Sequence, residues 1–340
     1  MGMSEDEMAS MDGASALERM VPRAGAWIRL IASSPIWSQQ LRRPRTSWVF
    51  ALAIPARCYC PLSPYQTKAK PRHRRNKVSE WTALELIVDG HVAEIRLCRP
   101  ALLNRIDMVL HRELTEVFAE LAERDDVRAV VFSSTGRFFS AGGDTDIMLD
   151  AASDMPKRLA LLDEGRRLFR AIADFPKPLV VALQGNSYGL ATTLIMAADA
   201  IVTAAPIEFS DPHVVMALVA GDGGTVAWPS AMGMIKAKRH LLTGDPMTGE
   251  EAYRLGVVTD LVADPAEILP TAQALAKRIA ALPPLAVQLT KRALNKAMMA
   301  RADEVLDISF YLEGITLGSD DLKEAVAAFM EKRPGVWKGC

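Results

Sequence analysis

The chain has 340 residues, 40 Lys plus Arg against 41 Asp plus Glu, and 50% hydrophobic residues. A chain of that length and apolar content can bury a large core unaided, which excludes a disordered polymer, a collagen and a disulfide-rich scaffold. The net charge of −1 hides an asymmetry: residues 1–78 hold 13 Lys/Arg against 5 Asp/Glu, and the remainder 27 against 36, so a basic leader precedes an acidic body.

In the leader no acidic residue lies between Glu18 and Glu80. Arg42-Arg43-Pro44-Arg45, then Pro55, Pro61, Pro64 and Pro71, and the basic run Lys68 to Lys77 interrupt any helical or strand period. Residues 1–78 are therefore expected to be a disordered leader or a misassigned start. After Met20 the next methionine is Met108, inside the body, so Val78 is the expected alternative start. An Arg-rich, acid-poor segment also fits a transit peptide or an arm that meets polyanions. For the chain as a whole, nucleic acid is not the expected partner.

From Leu84 to Leu97 apolar residues alternate on both sides of Asp89-Gly90, which predicts a β-hairpin. Leu110, Leu114, Val117, Phe118 and Leu121 share one face of a helix over 107–124. A short strand is expected from Val127 to Phe132, a long helix near 155–174 ended by Pro176 and Pro178, and a buried strand from Leu179 to Leu183. A helix over Leu190 to Ala198, a strand over Ile201 to Ala204 and a helix over 225–233 follow. From about 265 the pattern is helical to Lys332. Strands alternating with helices predict an α/β body, with 79–265 as its core and 266–340 as a helical C-terminal region.

The cysteines at 58, 60, 98 and 340 have no zinc spacing and are expected to be free thiols in a reducing cytoplasm. No run of 18 uncharged apolar residues suggests a membrane span.

Two strand-to-helix junctions are rich in small residues: Val130-Val-Phe-Ser-Ser-Thr-Gly-Arg-Phe-Phe-Ser-Ala-Gly-Gly-Asp144 and Leu179-Val-Val-Ala-Leu-Gln-Gly-Asn-Ser-Tyr-Gly-Leu-Ala-Thr-Thr193. Gly142, Gly143 and Gly189 would let a ligand approach the backbone. N–H groups at a helix start are unpaired and lie at the positive end of its dipole. One from each junction could hold a developing oxyanion.

With Ile95-Arg-Leu-Cys-Arg-Pro-Ala-Leu-Leu-Asn104, Leu242-Thr-Gly-Asp-Pro-Met-Thr-Gly-Glu-Glu-Ala252 and Ser319-Asp-Asp-Leu-Lys-Glu-Ala-Val-Ala-Ala-Phe-Met-Glu-Lys-Arg-Pro334, these segments resemble the crotonase, or enoyl-CoA hydratase/isomerase, superfamily over roughly Trp81 to Gly339. The resemblance implies a spiral of ββα turns with a helical C-terminal trimerisation region, assembled as homotrimers or hexamers. It implies an acyl-CoA thioester as ligand, with coenzyme A as part of the substrate and no metal or redox cofactor. The thioester carbonyl would sit between the backbone amides of Gly143 and Leu190.

The hydratases of this family use two glutamates; the matching positions here are Thr193 and His213. Threonine is no general base at neutral pH, so ordinary two-glutamate hydration is not expected. His213 titrates near neutrality, and apolar surroundings would raise Asp222 toward a base's working range, so these two are the expected catalytic pair. The position of Asp222 resembles that of an aspartate in the dehalogenase and naphthoate-synthase members. The resemblance places Arg99, Ala141, Asp146 and Lys332 as substrate-binding candidates; Asp144 is expected to cap a helix. The expected activity is isomerisation or atypical hydration of an enoyl-CoA, with C–C bond hydrolysis and a non-catalytic acyl-CoA-binding subunit as alternatives.

Overall fold

The computed structural model describes residues 81–340. The expectations for the leader, for Val78, and for Cys58 and Cys60 lie outside the described residues. The predicted hairpin is present: β1 (Leu84–Asp89) and β2 (Val92–Leu97) pair antiparallel, with Leu84 opposite Leu97. Gly90 turns the chain at φ 59°, a left-handed conformation that carries no Cβ penalty for glycine.

Successive strand pairs then build two sheets at once. β3 (Ala129–Ser134) and β4 (Phe138–Ser140), β5 (Leu179–Ala182) and β6 (Asn186–Tyr188), and β7 (Ala200–Ala204) and β8 (Glu208–Ser210) each send their first strand to the larger sheet and their second to the smaller. The larger sheet has six strands in the order β1-β2-β3-β5-β7-β10, with β10 at Asp260–Val262; the smaller has four, β4-β6-β8-β9, with β9 at Met247–Thr248. Beyond the hairpin, all neighbours run parallel except β8 and β9. With the helices between them, these pairs form the expected spiral of ββα turns. The third strand lies two residues later than predicted, at 129–134 rather than 127–132.

Helices fill the connections: α1 (Met108–Glu123), α2 (Thr145–Ser153), α3 (Met155–Ala173), α4 (Leu190–Met196), α5 (Gly224–Met232), α6 (Met234–Leu241) and α7 (Gly249–Arg254). Asp107 caps α1 by accepting the Leu110 N–H at 3.0 Å, satisfying one of the donors a helix start leaves free. Every residue of β3 and β5 is buried, as expected of parallel strands covered on both faces. Phe118 meets Phe132 and Phe175 edge-on, with ring centroids 6.4 and 5.1 Å away; truncating such a ring to alanine costs about 3–5 kcal/mol.

The C-terminal helices are α8 (Ile268–Ala280), α9 (Pro284–Leu317) and α10 (Asp320–Glu331). α8 lies over β3, β5 and β7, burying Ile268, Ala272 and Ala276. α9 is fixed along its length. Near its start the buried Lys291 donates to the Lys177 carbonyl at 2.8 Å and pairs with Asp199, which also accepts the Leu179 N–H. Near its end Ser309 meets Thr225 at 2.7 Å and Thr316 accepts the Val219 N–H at 3.2 Å. α9 is thereby held against the 217–224 loop, which carries Asp222. Among the described residues no helix is long and apolar enough to cross a membrane.

Candidate active site

The two glycine junctions meet. A Cβ on Gly142 would lie 2.8 Å from the Tyr188 carbonyl oxygen, and one on Gly189 would lie 4.0 Å from the Gly142 Cα. Gly142 has φ 88°, and Gly189 has φ 56° with ψ −131°; only glycine takes the latter conformation readily. Gly189 absorbs the strain at this turn, so Leu190 begins α4 in ordinary helical geometry and is absent from the positive-φ residues. Its N–H, as the first of a helix, has no intrahelical acceptor. Among the described residues neither the Gly143 nor the Leu190 N–H is bonded to another backbone carbonyl.

Beside these amides stands a buried chain of titratable groups. β8 ends at Ser210, and the following turn places Asp211 against His213. The Asp211 carboxylate is paired with the His213 Nδ1 and accepts the His213 backbone N–H at 3.3 Å. On the other edge of the ring, Nε2 lies 3.3 Å from Asp222 Oδ2. The Thr193 hydroxyl donates to Asp222 Oδ1 at 3.4 Å. Burial alone would lower the His213 pKa; Asp211 and Asp222 outweigh it and hold the imidazole well above its ordinary value. Burial pushes the Asp222 carboxyl up to about 6, against the opposing pull of His213. Gly223 is the N-cap of α5; Asp222 just before it accepts the Gly224 N–H and also faces His213.

Two further polar groups, which the sequence reading missed, share the cavity. Glu313 of α9 is 8% exposed, and its Oε2 has no hydrogen-bond partner. Burial, reinforced by Asp222, pushes its carboxyl up to about 8. His111 of α1 is 4% exposed with Nδ1 unpartnered, and burial pushes it down to about 4, so its ring is neutral. Gly143, Leu190, His213, Asp222, Glu313 and His111 all line one cavity of about 50 Å3, whose apolar walls include Met148, Leu162, Leu218 and Phe310. A signal for Glu313 was present: Leu306, Phe310, Glu313 and Leu317 form one buried row of α9, and an acid in such a row is rarely tolerated without a role.

The four substrate-binding candidates do not line this cavity. Arg99 forks onto Asp107 at 2.6 and 3.0 Å and donates to the Arg105 carbonyl. The Ala141 N–H donates to the Leu103 carbonyl at 2.9 Å. Asp146 is exposed in the first turn of α2, where its N–H is received by the cap Asp144 at 3.1 Å, as expected of Asp144. Lys332 is exposed at φ 54°, closing α10. Met148 and Leu218 line the cavity, whereas Trp228 is fully buried elsewhere in the core. Asp211, His213 and Asp222 bring potential metal-ligand atoms within 4.8 Å of one another. Both ring nitrogens face carboxylates on opposite edges, so the imidazole itself supplies the positive charge these carboxylates call for.

Comparisons with known proteins agree with this architecture. Residues 88–340 match the family described as Enoyl-CoA hydratase/isomerase. The chain belongs to that family. A short-chain-enoyl-CoA hydratase of Clostridium acetobutylicum is 30% identical over 246 residues, 72% of this chain and 93% of that protein. A 1,2-epoxyphenylacetyl-CoA isomerase of Escherichia coli is 29% identical, over 74% of this chain and 97% of its own. Among solved structures, an enoyl-CoA hydratase/isomerase from Mycobacterium paratuberculosis superposes with a TM-score of 0.69 at 32% identity, covering 72% of this chain and 98% of that one. The protein is therefore an enzyme of a family that acts on acyl-CoA thioesters.

Proposed function

We propose that the protein forms a thioester enolate between the Gly143 and Leu190 amides and moves protons on it with Asp222 and His213. The observation that carries this reading is that two free amides and a carboxyl raised to about 6 line the same cavity. Amides fixed in advance stabilise the charge that appears on the oxygen as the α-proton leaves, and each such donor is worth roughly 2.7–4 kcal/mol in the transition state. A carboxylate with a pKa near the working pH can take the α-proton and return it. Asp211 orients the imidazole, and His213 steadies the charge on Asp222 as the proton comes and goes.

One carboxylate that moves a proton between Cα and Cγ suits double-bond isomerisation of an enoyl-CoA; delivery of a water held by His213 would make it an atypical hydration. C–C bond hydrolysis is the second reading, in which Asp222, with its carboxyl raised to about 6, takes the proton of a water held beside the charged His213 ring. Leu285, Leu289, Ile308, Tyr311 and Ile315 of α9 are exposed apolar residues that support a homotrimer or hexamer, measurable by light scattering. A cytoplasmic location and the absence of a bound cofactor belong to the same proposal.

The deciding experiment incubates the protein with butyryl-CoA in deuterated water and follows the α-carbon by mass spectrometry. Exchange that falls at least about 100-fold in Asp222→Asn supports the reading. Exchange unaffected by Asp222→Asn and by His213→Ala would sink it.

A further inference from the structure

Asp222 stands in a loop that its neighbours must hold. Gly221, Gly223 and Gly224 flank it, and glycine leaves a backbone freer than any other residue. The loop's own bonds pass Asp222 by: the Leu218 N–H reaches the His213 carbonyl, the Gly221 N–H the Val219 carbonyl and the Thr225 N–H the Ala220 carbonyl, at 2.8, 2.7 and 3.2 Å. One stripe of α9 supplies the anchors. Ser309, Glu313 and Thr316 follow at intervals of four and three residues, so they share a helix face. Thr316 donates its hydroxyl proton to the Glu313 carbonyl at 2.9 Å, which leaves its oxygen to accept the Val219 N–H. Ser309 bonds the Thr225 hydroxyl at the start of α5. Between these bonds the loop backbone lies directly on the helix: a Cβ on Gly221 would come 2.4 Å from the Ser309 carbonyl oxygen and 2.6 Å from Glu313 Cβ. Burial keeps the proton on the Glu313 carboxyl, so this contact carries no charge. The contacts fall at 219, 221 and 225, on both sides of Asp222.

We propose that Ser309 and Thr316 are positioning residues: from α9 they clamp the 217–224 loop so that Asp222 keeps its place 3.3 Å from the His213 ring, poised for the α-proton. The inference rests on the reading of Asp222 as the base and adds what holds it there. A catalytic group displaced by about 1 Å can lose roughly 100-fold in rate. The Gly143 and Leu190 amides, which would bind the thioester oxygen, belong to other elements and stay where they are. Loosening the clamp therefore slows proton transfer and leaves substrate binding nearly unchanged.

The test makes three variants of the full chain: Thr316→Val, which keeps the volume and removes the acceptor, Ser309→Ala, and the two together. Deuterium exchange at saturating butyryl-CoA is expected to slow at least about tenfold in the double variant, with the half-saturating concentration within about twofold of the parent's. Thr316→Ser, which keeps the acceptor, should recover most of the rate. In an Asp222→Asn background the same two substitutions should add little, since the group they place is gone. A merely structural pair would slow both backgrounds alike. That result, or exchange that depends on Asp222 yet is unchanged in the double variant, overturns the proposal. The ring N–H signals of His213 in a nitrogen-15 NMR spectrum separate the clamp from the enolate reading. With the clamp loosened, the Nε2–H signal beside Asp222 should shift or broaden while Nδ1–H, held by Asp211, stays. That change, with exchange indifferent to Asp222→Asn, upholds the clamp and refutes Asp222 as the base; an unchanged signal refutes the clamp alone.

Discussion

Replacing Glu313 by glutamine should stabilise the protein, and do so more at higher pH. In the folded state the carboxyl keeps its proton up to about pH 8, whereas its ordinary value is 4.5. Between those values the native state binds more proton than the unfolded chain, so the Glu313 contribution to stability is whole below pH 4.5 and falls as pH rises. Each pH unit in that window costs roughly 1.4 kcal/mol. At pH 7 the loss is about 3 kcal/mol, and it levels off at roughly 5 kcal/mol above pH 8. Glutamine has no proton to lose and removes the slope. Urea unfolding of both proteins from pH 5 to pH 9 should therefore show a gap in favour of Glu313→Gln that widens with pH. A gap independent of pH would mean that Glu313 is ionised in the fold or titrates as in the unfolded chain, and the argument for a buried neutral acid would fail.

Two other substitutions probe the frame around the cavity. Leu190→Pro removes one N–H at the first position of α4, where proline is tolerated, so α-proton exchange should drop about 100-fold or more with little change in the far-ultraviolet circular dichroism. Retained exchange would show that this amide does not hold the oxygen. Gly223→Ala should destabilise the protein by about 2 kcal/mol or more, since Gly223 sits at φ 111° and a Cβ there would lie 2.1 Å from Phe169 Cδ2. Because it adjoins Asp222, exchange should fall with it; a melting temperature within a degree of the parent would refute this account.

The hairpin, α1, β5 and the two glycine junctions were legible because each carries a local signal: alternation, a helical stripe, an apolar run, or glycine where no other residue fits. The short strands β4, β6, β8 and β9, of two or three residues each, carry no period at all; pairing with a distant neighbour creates them. The same limit governs the site. Gly143, Leu190, His213 and Asp222 announce themselves by residue type within recognisable segments. Glu313 is harder to pick out, because α9 holds many charged residues and only its place in the apolar row of Leu306, Phe310 and Leu317 marks this one. His111 likewise reads as one more polar residue in an amphipathic helix until the fold turns it inward. Leucine is accommodated at 190 because the positive φ falls one residue earlier, on Gly189, which no sequence period announces.

That α9 walls the cavity has a consequence for the order in which the protein is made. A ribosome adds roughly 5–20 residues each second, so residues 223–317 follow Asp222 by roughly 5–20 seconds. Until they arrive, the carboxylate and the imidazole stand in water, where neither is desolvated and the pocket has no Glu313. A growing chain therefore lacks the wall that Phe310, Glu313 and Leu317 give the cavity until α9 has been made.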